Sequence, residues 1–195
     1  MKARFKIAAW GCGLLVGILI AGAVVVKWHF KRDEKGRVVP WFERVDMAYL
    51  ATFAKGAEKA SRSVLHEGLP NPKWEKELFE AERKAKRSRQ IHGHFFYEGS
   101  LSITKADEQE LKRIVKGSSV FAEWGGTKLC GGYHPDYAIE WMDGDESYFA
   151  LICLGCHEAK LFGPSGRLYC DIPDATYEVL KALLLKYRVN RPVAK

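Results

Sequence analysis

Residues 136–172, DYAIEWMDGDESYFALICLGCHEAKLFGPSGRLYCDI, decide the fold. They divide into four apolar-rich runs: DYAIEWM, SYFALICL, EAKLFG and RLYCDI. Turn chemistry separates them, with Asp143-Gly144-Asp145 after the first run and Pro164-Ser165-Gly166 after the third. Connections this short join antiparallel neighbours, because a parallel return needs a crossover of a dozen or more residues. The stretch therefore predicts an antiparallel meander. A helix from about Asp174, with Leu180, Leu183, Leu184 and Tyr187 on one stripe, would cover one face of it.

Upstream, SITKADEQELKRIVKG predicts a compact helix. Thr104 is its N-cap with Asp107 three residues on, Leu111, Ile114 and Val115 point inward, and Gly117 stops it. SSVFAEW reads as a further strand and IHGHFFYEG as an extended aromatic segment. Residues 46–89 predict a helical preamble. From Asp46, the residues Met47, Leu50, Phe53, Ala54, Ala57 and Val64 keep a helical beat to about His66, and Gly68 ends it. A second helix is expected in PKWEKELFEAERKAKRSR, capped by Asn71 with Pro72 at its first position and with acids early and bases late. The expected class is α+β: a helical preamble over 46–89, then a small antiparallel sheet with covering helices over 90–190.

Ile7 to Val26 is an uncharged apolar run, long enough to span a hydrocarbon core as a helix. Lys2, Arg4 and Lys6 precede it, and Trp28 and Phe30 among Lys27, Lys31 and Arg32 follow as an interfacial belt. Ala21-Gly22-Ala23 would suit a signal-peptide cut, but the apolar run continues through Val24, Val25 and Val26. Cys12 has almost no apolar stretch before it, which argues against lipidation there. Residues 1–26 are therefore read as an uncleaved signal anchor and 27–45 as a juxtamembrane linker, with the C-terminal domain extracytoplasmic. Ala9, Gly13, Gly17 and Ala21 would share one helix face and allow a homodimer through close packing.

The net charge of +7 is unevenly spread. Residues 27–117 hold 20 Lys/Arg against 14 Asp/Glu, and residues 118–195 hold 8 against 10. The excess lies on the membrane-proximal half and suits an anionic lipid surface. No nucleic-acid-binding motif accompanies it, so nucleic acid is not an expected partner. Its densest part is Arg83-Lys84-Ala85-Lys86-Arg87-Ser88-Arg89, expected to be a solvated helix end, with contact to lipid head groups as the alternative.

The order HG…F…G…SIT, CGGYHPDYAIEW and ALICLGCHEAKLFG resembles a group of bacterial exported or lipid-anchored proteins of no known activity. Those read as His-Gly, then a Cys followed by a His-containing strand, then Ile-Cys-Phe-x-Cys. The resemblance covers roughly residues 91–188, and His157 departs from it. It implies a shared fold and a shared cysteine arrangement, and it brings no reaction.

Outside the anchor stand Cys130, Cys153, Cys156 and Cys170, and four readings of them stay open. Cys153-Leu154-Gly155-Cys156-His157 matches the attachment signature of covalent haem, with His92, His94 or His134 as second axial ligand. The motif lies between strand-like runs with no helix pattern after it. Zinc could be held by Cys130, His134, Cys153 and Cys156, with Cys170 as an alternative fourth ligand. Four cysteines in an oxidising compartment permit disulfides, Cys153 with Cys170 among them. Reduced, buried cysteines are the fourth reading.

Other chemistry is sparse. His134 and Asp136 could form an oriented base, yet Pro135 marks a structural loop. His92 and His94 would share one strand face. There is no phosphate loop, no Gly-x-Ser-x-Gly and no His-Glu-x-x-His. The expected molecule is a single-pass membrane-anchored protein whose α+β domain binds or supports, with no catalytic residues and no cofactor. The competing expectation is a membrane-tethered metal or c-type haem redox protein using Cys153, Cys156 and His157.

Overall fold

The structure is a computed structural model that describes residues 30–32, 38–40, 48–117, 120–126, 128 and 132–192. The apolar segment Ile7–Val26, its small-residue stripe and most of the 27–45 linker lie outside these residues. Among the described residues no helix is long and apolar enough to cross a membrane. The chain divides into compact units Met1–Arg44 and Val45–Lys195. In the first, β1 (Phe30–Arg32) and β2 (Val38–Pro40) pair antiparallel, Lys31 opposite Val39.

The second unit is built on a seven-stranded sheet. In chain order its strands are β3 (Arg62–Glu67), β6 (Leu101–Ser102), β7 (Ala122–Glu123), β8 (Tyr137–Asp143), β9 (Glu146–Cys153), β10 (Glu158–Gly163) and β11 (Gly166–Asp171). Their spatial order is β6-β3-β8-β9-β10-β11-β7, and every neighbouring pair is antiparallel. β8 to β11 form the meander expected from residues 136–172. Gly144 takes φ +58° in its first turn, and Gly163 faces Gly166 across Pro164-Ser165 in the last. The SSVFAEW run shrinks to β7, a two-residue edge strand on β11.

Four helices complete the described residues: α1 (Ala48–Lys59), α2 (Lys76–Ala85), α3 (Lys105–Lys116) and α4 (Asp174–Leu184). α3 follows its local signals. Thr104 Oγ1 accepts from Asp107 N–H at 3.1 Å, and Leu111, Ile114 and Val115 are buried. The preamble differs from expectation. α1 stops at Lys59, and Val64, Leu65 and His66 belong to β3, in the sheet between β6 and β8. The apolar beat ran on through Ala60 and Val64 by coincidence, whereas β3 buries Leu65 against one face of the sheet and His66 against the other. α2 also differs. Asn71 caps a preceding turn, with Oδ1 accepting from Lys73 N–H at 2.9 Å, and the helix proper runs only from Lys76 to Ala85. The basic residues after it enter β4 (Ser88–Ile91), which pairs with β5 (His94–Tyr97) as a separate hairpin.

Strand alternation sorts the two faces. Leu65, Ile139, Trp141, Ala150, Ile152, Leu161 and Leu168 point to one side and form the main core with α1, α3 and α4. α1 lies directly on the sheet at Gly56, where a β-carbon would meet the Tyr148 ring at 2.1 Å. The opposite face is narrower and more polar. Ala138 and Leu151 meet Ile91 and Phe96 of the β4–β5 hairpin, with Tyr133, Phe149 and Phe162 around them.

Candidate functional site

The chemistry-bearing side chains gather on this second face. The hairpin covering it turns at His92-Gly93, both with positive φ (47° and 83°), between the paired residues Ile91 and His94. A two-residue loop with both φ positive matches the twist of its strands. His92 therefore sits at the tip of a turn, and its ring stacks on Phe162 at 3.8 Å between centroids. The expectation that His92 and His94 share a strand face is corrected by this turn. The hairpin is pinned by Arg89, whose Nη2 lies 3.0 Å from Nε2 of the buried His66, itself 2.8 Å from Glu140 Oε2. The His66 hydrogen bond, helped by Arg89, holds the Glu140 carboxyl below its ordinary range.

His94 and His134 do come together. With Tyr133, Phe79, Phe95 and Lys73 they line a cleft of about 320 Å³. That size falls at the lower end for small-molecule sites. Burial lowers the His94 imidazole to about 4, with nearby Lys160 and His134 adding to it. Burial also lowers His134, against the pull of Asp136. Both rings are thus neutral at pH 7, hydrogen-bonding groups in an aromatic setting. The Tyr133 ring forms the back wall, its hydroxyl donating to Leu151 O at 2.5 Å and Lys160 Nζ lying 4.3 Å from the ring centroid.

These imidazoles set a pH dependence. Free in the unfolded chain, His94 titrates near 6.5, and in the fold near 4. Between those values the unfolded state holds more protons, so stability is full above pH 6.5 and falls as the pH drops toward 4. Discounted for partial solvent exposure, His94 contributes on the order of 1 kcal/mol to this loss. Melts from pH 7.5 to 4.5 should show a shallower decline for His94→Gln than for the wild type; parallel curves would remove His94 from the account.

The last four residues of the Cys-x-x-Cys-His motif, Leu154 to His157, form the turn between β9 and β10, closed by Cys153 opposite Glu158. Cys156 is disulfide-bonded, whereas Cys153 and Cys170 are buried free thiols. Cys12 and Cys130 lie outside the described residues. The candidate Cys153–Cys170 bridge is not formed, for a reason of register. Cys153 pairs with Glu158, and Cys170 with the next residue, Ala159, so the two sulfurs project from opposite faces. Burial raises the Cys153 thiol to about 11 and raises Cys170 further. Covalent haem does not fit this arrangement, since it needs two free thiols and a ligating histidine. Here one sulfur is bridged, the other is buried, and the His157 ring stacks on Tyr177 at 3.5 Å. The zinc set Cys130, His134, Cys153 and Cys156 likewise loses Cys156 as a thiolate. Among the described residues no three His, Cys, Asp or Glu side chains are grouped to hold a metal ion.

Two carboxylate clusters carried no sequence signal. Buried Glu158 accepts from Trp124 Nε1 at 3.1 Å and from Tyr169 Oη at 2.7 Å, with Lys128 Nζ 3.7 Å away. Asp136, weighed as an orienting partner of His134 against a structural-loop reading, pairs with Arg191 at 2.5 Å, and Arg191 also meets Glu75 at 2.7 Å. Glu67 accepts from the backbone of Asn190 and Arg191 at 2.7 and 2.9 Å. Their partners lie far away in sequence and only the fold brings them together.

Compared with known proteins, the chain matches no family model, no curated protein and no solved structure.

Proposed function

We propose that this chain is a single-pass membrane protein whose N-terminal segment, Ile7–Val26, anchors an extracytoplasmic α+β domain that binds a ligand and catalyses no reaction. The observation that carries the reading is the disulfide at Cys156. Disulfides persist in oxidising compartments and are rare in the cytosol. Cys130 is the partner this reading assigns. Lys128, two residues before it, donates from Nζ to Cys156 O at 2.8 Å, and Gly132 O, two residues after it, lies 3.6 Å from Cys156 Sγ.

The binding role rests on the cleft of His94 and His134, which joins apolar walls to a few hydrogen-bonding groups. A non-catalytic role is supported by the way the acids of this face are used: Glu140, Glu158 and Asp136 are each held in hydrogen bonds or ion pairs within the protein. Fusion of an exported-only reporter enzyme after Lys195 tests the topology. The reading expects an active fusion in membranes, and activity confined to a cytoplasmic reporter at the same position would overturn it.

A further inference from the structure

We propose that residues 188–192 form a detachable strap whose docking on a carboxylate cradle sets one wall of the His94–His134 cleft. This regulation rests on the cleft as ligand site, but the evidence for the strap is independent of any ligand. After α4 and a 3-10 turn (Leu185–Tyr187), the chain crosses the end of β3 as an irregular segment. Three carboxylates from three places in the fold receive it: Glu67 ends β3, Glu75 precedes α2, and Asp136 precedes β8.

Glu67 reads the strap's backbone. Its Oε2 accepts from Val189 N–H at 3.2 Å, Asn190 N–H at 2.7 Å and Asn190 Nδ2 at 3.1 Å, and its Oε1 accepts from Arg191 N–H at 2.9 Å. Asp136 and Glu75 grip the Arg191 guanidinium from its two ends. Arg188 closes the segment on itself by donating to Arg191 O and Pro192 O. Lys86 Nζ adds a bond to Asn190 O at 2.7 Å. Apolar burial contributes little, since Val189 is 69% exposed. A 340 Å³ cleft also remains between strap and body, lined by Glu67, Glu75, Asp136, Tyr137, Arg188 and Arg191 among others. A segment held by charges and hydrogen bonds can leave without opening the apolar core.

Asp136 transmits the docking. Its Oδ1 holds Arg191, while its Oδ2 accepts from Leu154 N–H at 2.7 Å in the cysteine turn. Its backbone N–H donates to Ile152 O at 2.8 Å, and its carbonyl accepts from Gly68 N–H at 2.7 Å. Gly132, Tyr133 and His134, just before it, line the imidazole cleft. With Arg191 withdrawn, Asp136 and Glu75 would lose their shared cation and Glu67 its donors, and like charges at close range repel. Release of the strap and movement of the 132–136 loop are therefore one equilibrium.

Hydrogen–deuterium exchange on the full chain in detergent micelles tests this. In Arg191→Ala, the amides of His134, Asp136 and Leu154 should exchange about tenfold faster or more, while those of β8 and β9 keep their protection. Arg191→Lys, which cannot span both carboxylates in the same way, should fall between. If Arg191→Ala does not fold, Glu75→Gln, which weakens one of the two grips on the guanidinium, should show the same selective acceleration. Unchanged exchange at His134, Asp136 and Leu154, or an equal rise throughout β8 and β9, would overturn the strap. A cleft that bound no ligand would leave these exchange rates as they are and would count against the binding reading alone.

Discussion

Phe53→Ala lowers the stability of the whole α+β unit by about 3–5 kcal/mol, the cost of removing a large aromatic side chain from a packed core. Phe53 is fully buried on α1. Its ring meets Trp141 of β8 at 5.9 Å and 85°, and Tyr148 of β9 at 5.9 Å and 76°. Both partners belong to the meander, so α1 is part of the same core. Total stabilities of small domains are about 5–15 kcal/mol, so the loss should be visible as one transition moved to much lower temperature. Trp74→Ala, at a position 66% exposed, should change the melt by less than about 0.5 kcal/mol. A biphasic melt for Phe53→Ala, with the sheet holding its wild-type midpoint, would mean that residues 48–59 fold separately from it.

Cys156→Ser should cost about 2–5 kcal/mol, the usual range for a native disulfide. Reductant supplies the matching control. It should lower the wild-type melt by a similar amount and leave Cys156→Ser unmoved. Cys153→Ser and Cys170→Ser act differently, since each places a hydroxyl where a buried thiol packs. Both should be less stable than the wild type and still respond to reductant. A wild-type protein whose melt ignores reductant would remove the bridge from the account.

What could be read from the sequence was local. Thr104, Asp107 and Gly117 bound α3 through contacts a few residues apart, and the Gly144 and Pro164-Ser165 turns mark the hairpins of the meander. β3 escaped because Ala60 and Val64 continue the apolar spacing of α1, while its strand partners stand far along the chain, Leu65 facing both Leu101 and Ile139. His92-Gly93 did carry a signal, a glycine-containing dipeptide just before the aromatic-rich run His94–Tyr97, but histidine is an uncommon first residue for such a turn. The strap could not be read at all. Glu67 and Arg191 are 124 residues apart, and a carboxylate bonded to a backbone N–H at that separation leaves no periodicity. The cysteine turn was placed correctly between two strands, while the choice of bridged sulfur depended on which face each strand position takes.

Non-reducing peptide mapping of the protein, alkylated in intact cells before extraction, tests the central claim most directly. The account predicts a linked peptide pair joining Cys130 to Cys156, with Cys153 and Cys170 alkylated only after denaturation. Recovery of Cys156 as a free, alkylated thiol would contradict the disulfide and, with it, the extracytoplasmic placement of the domain.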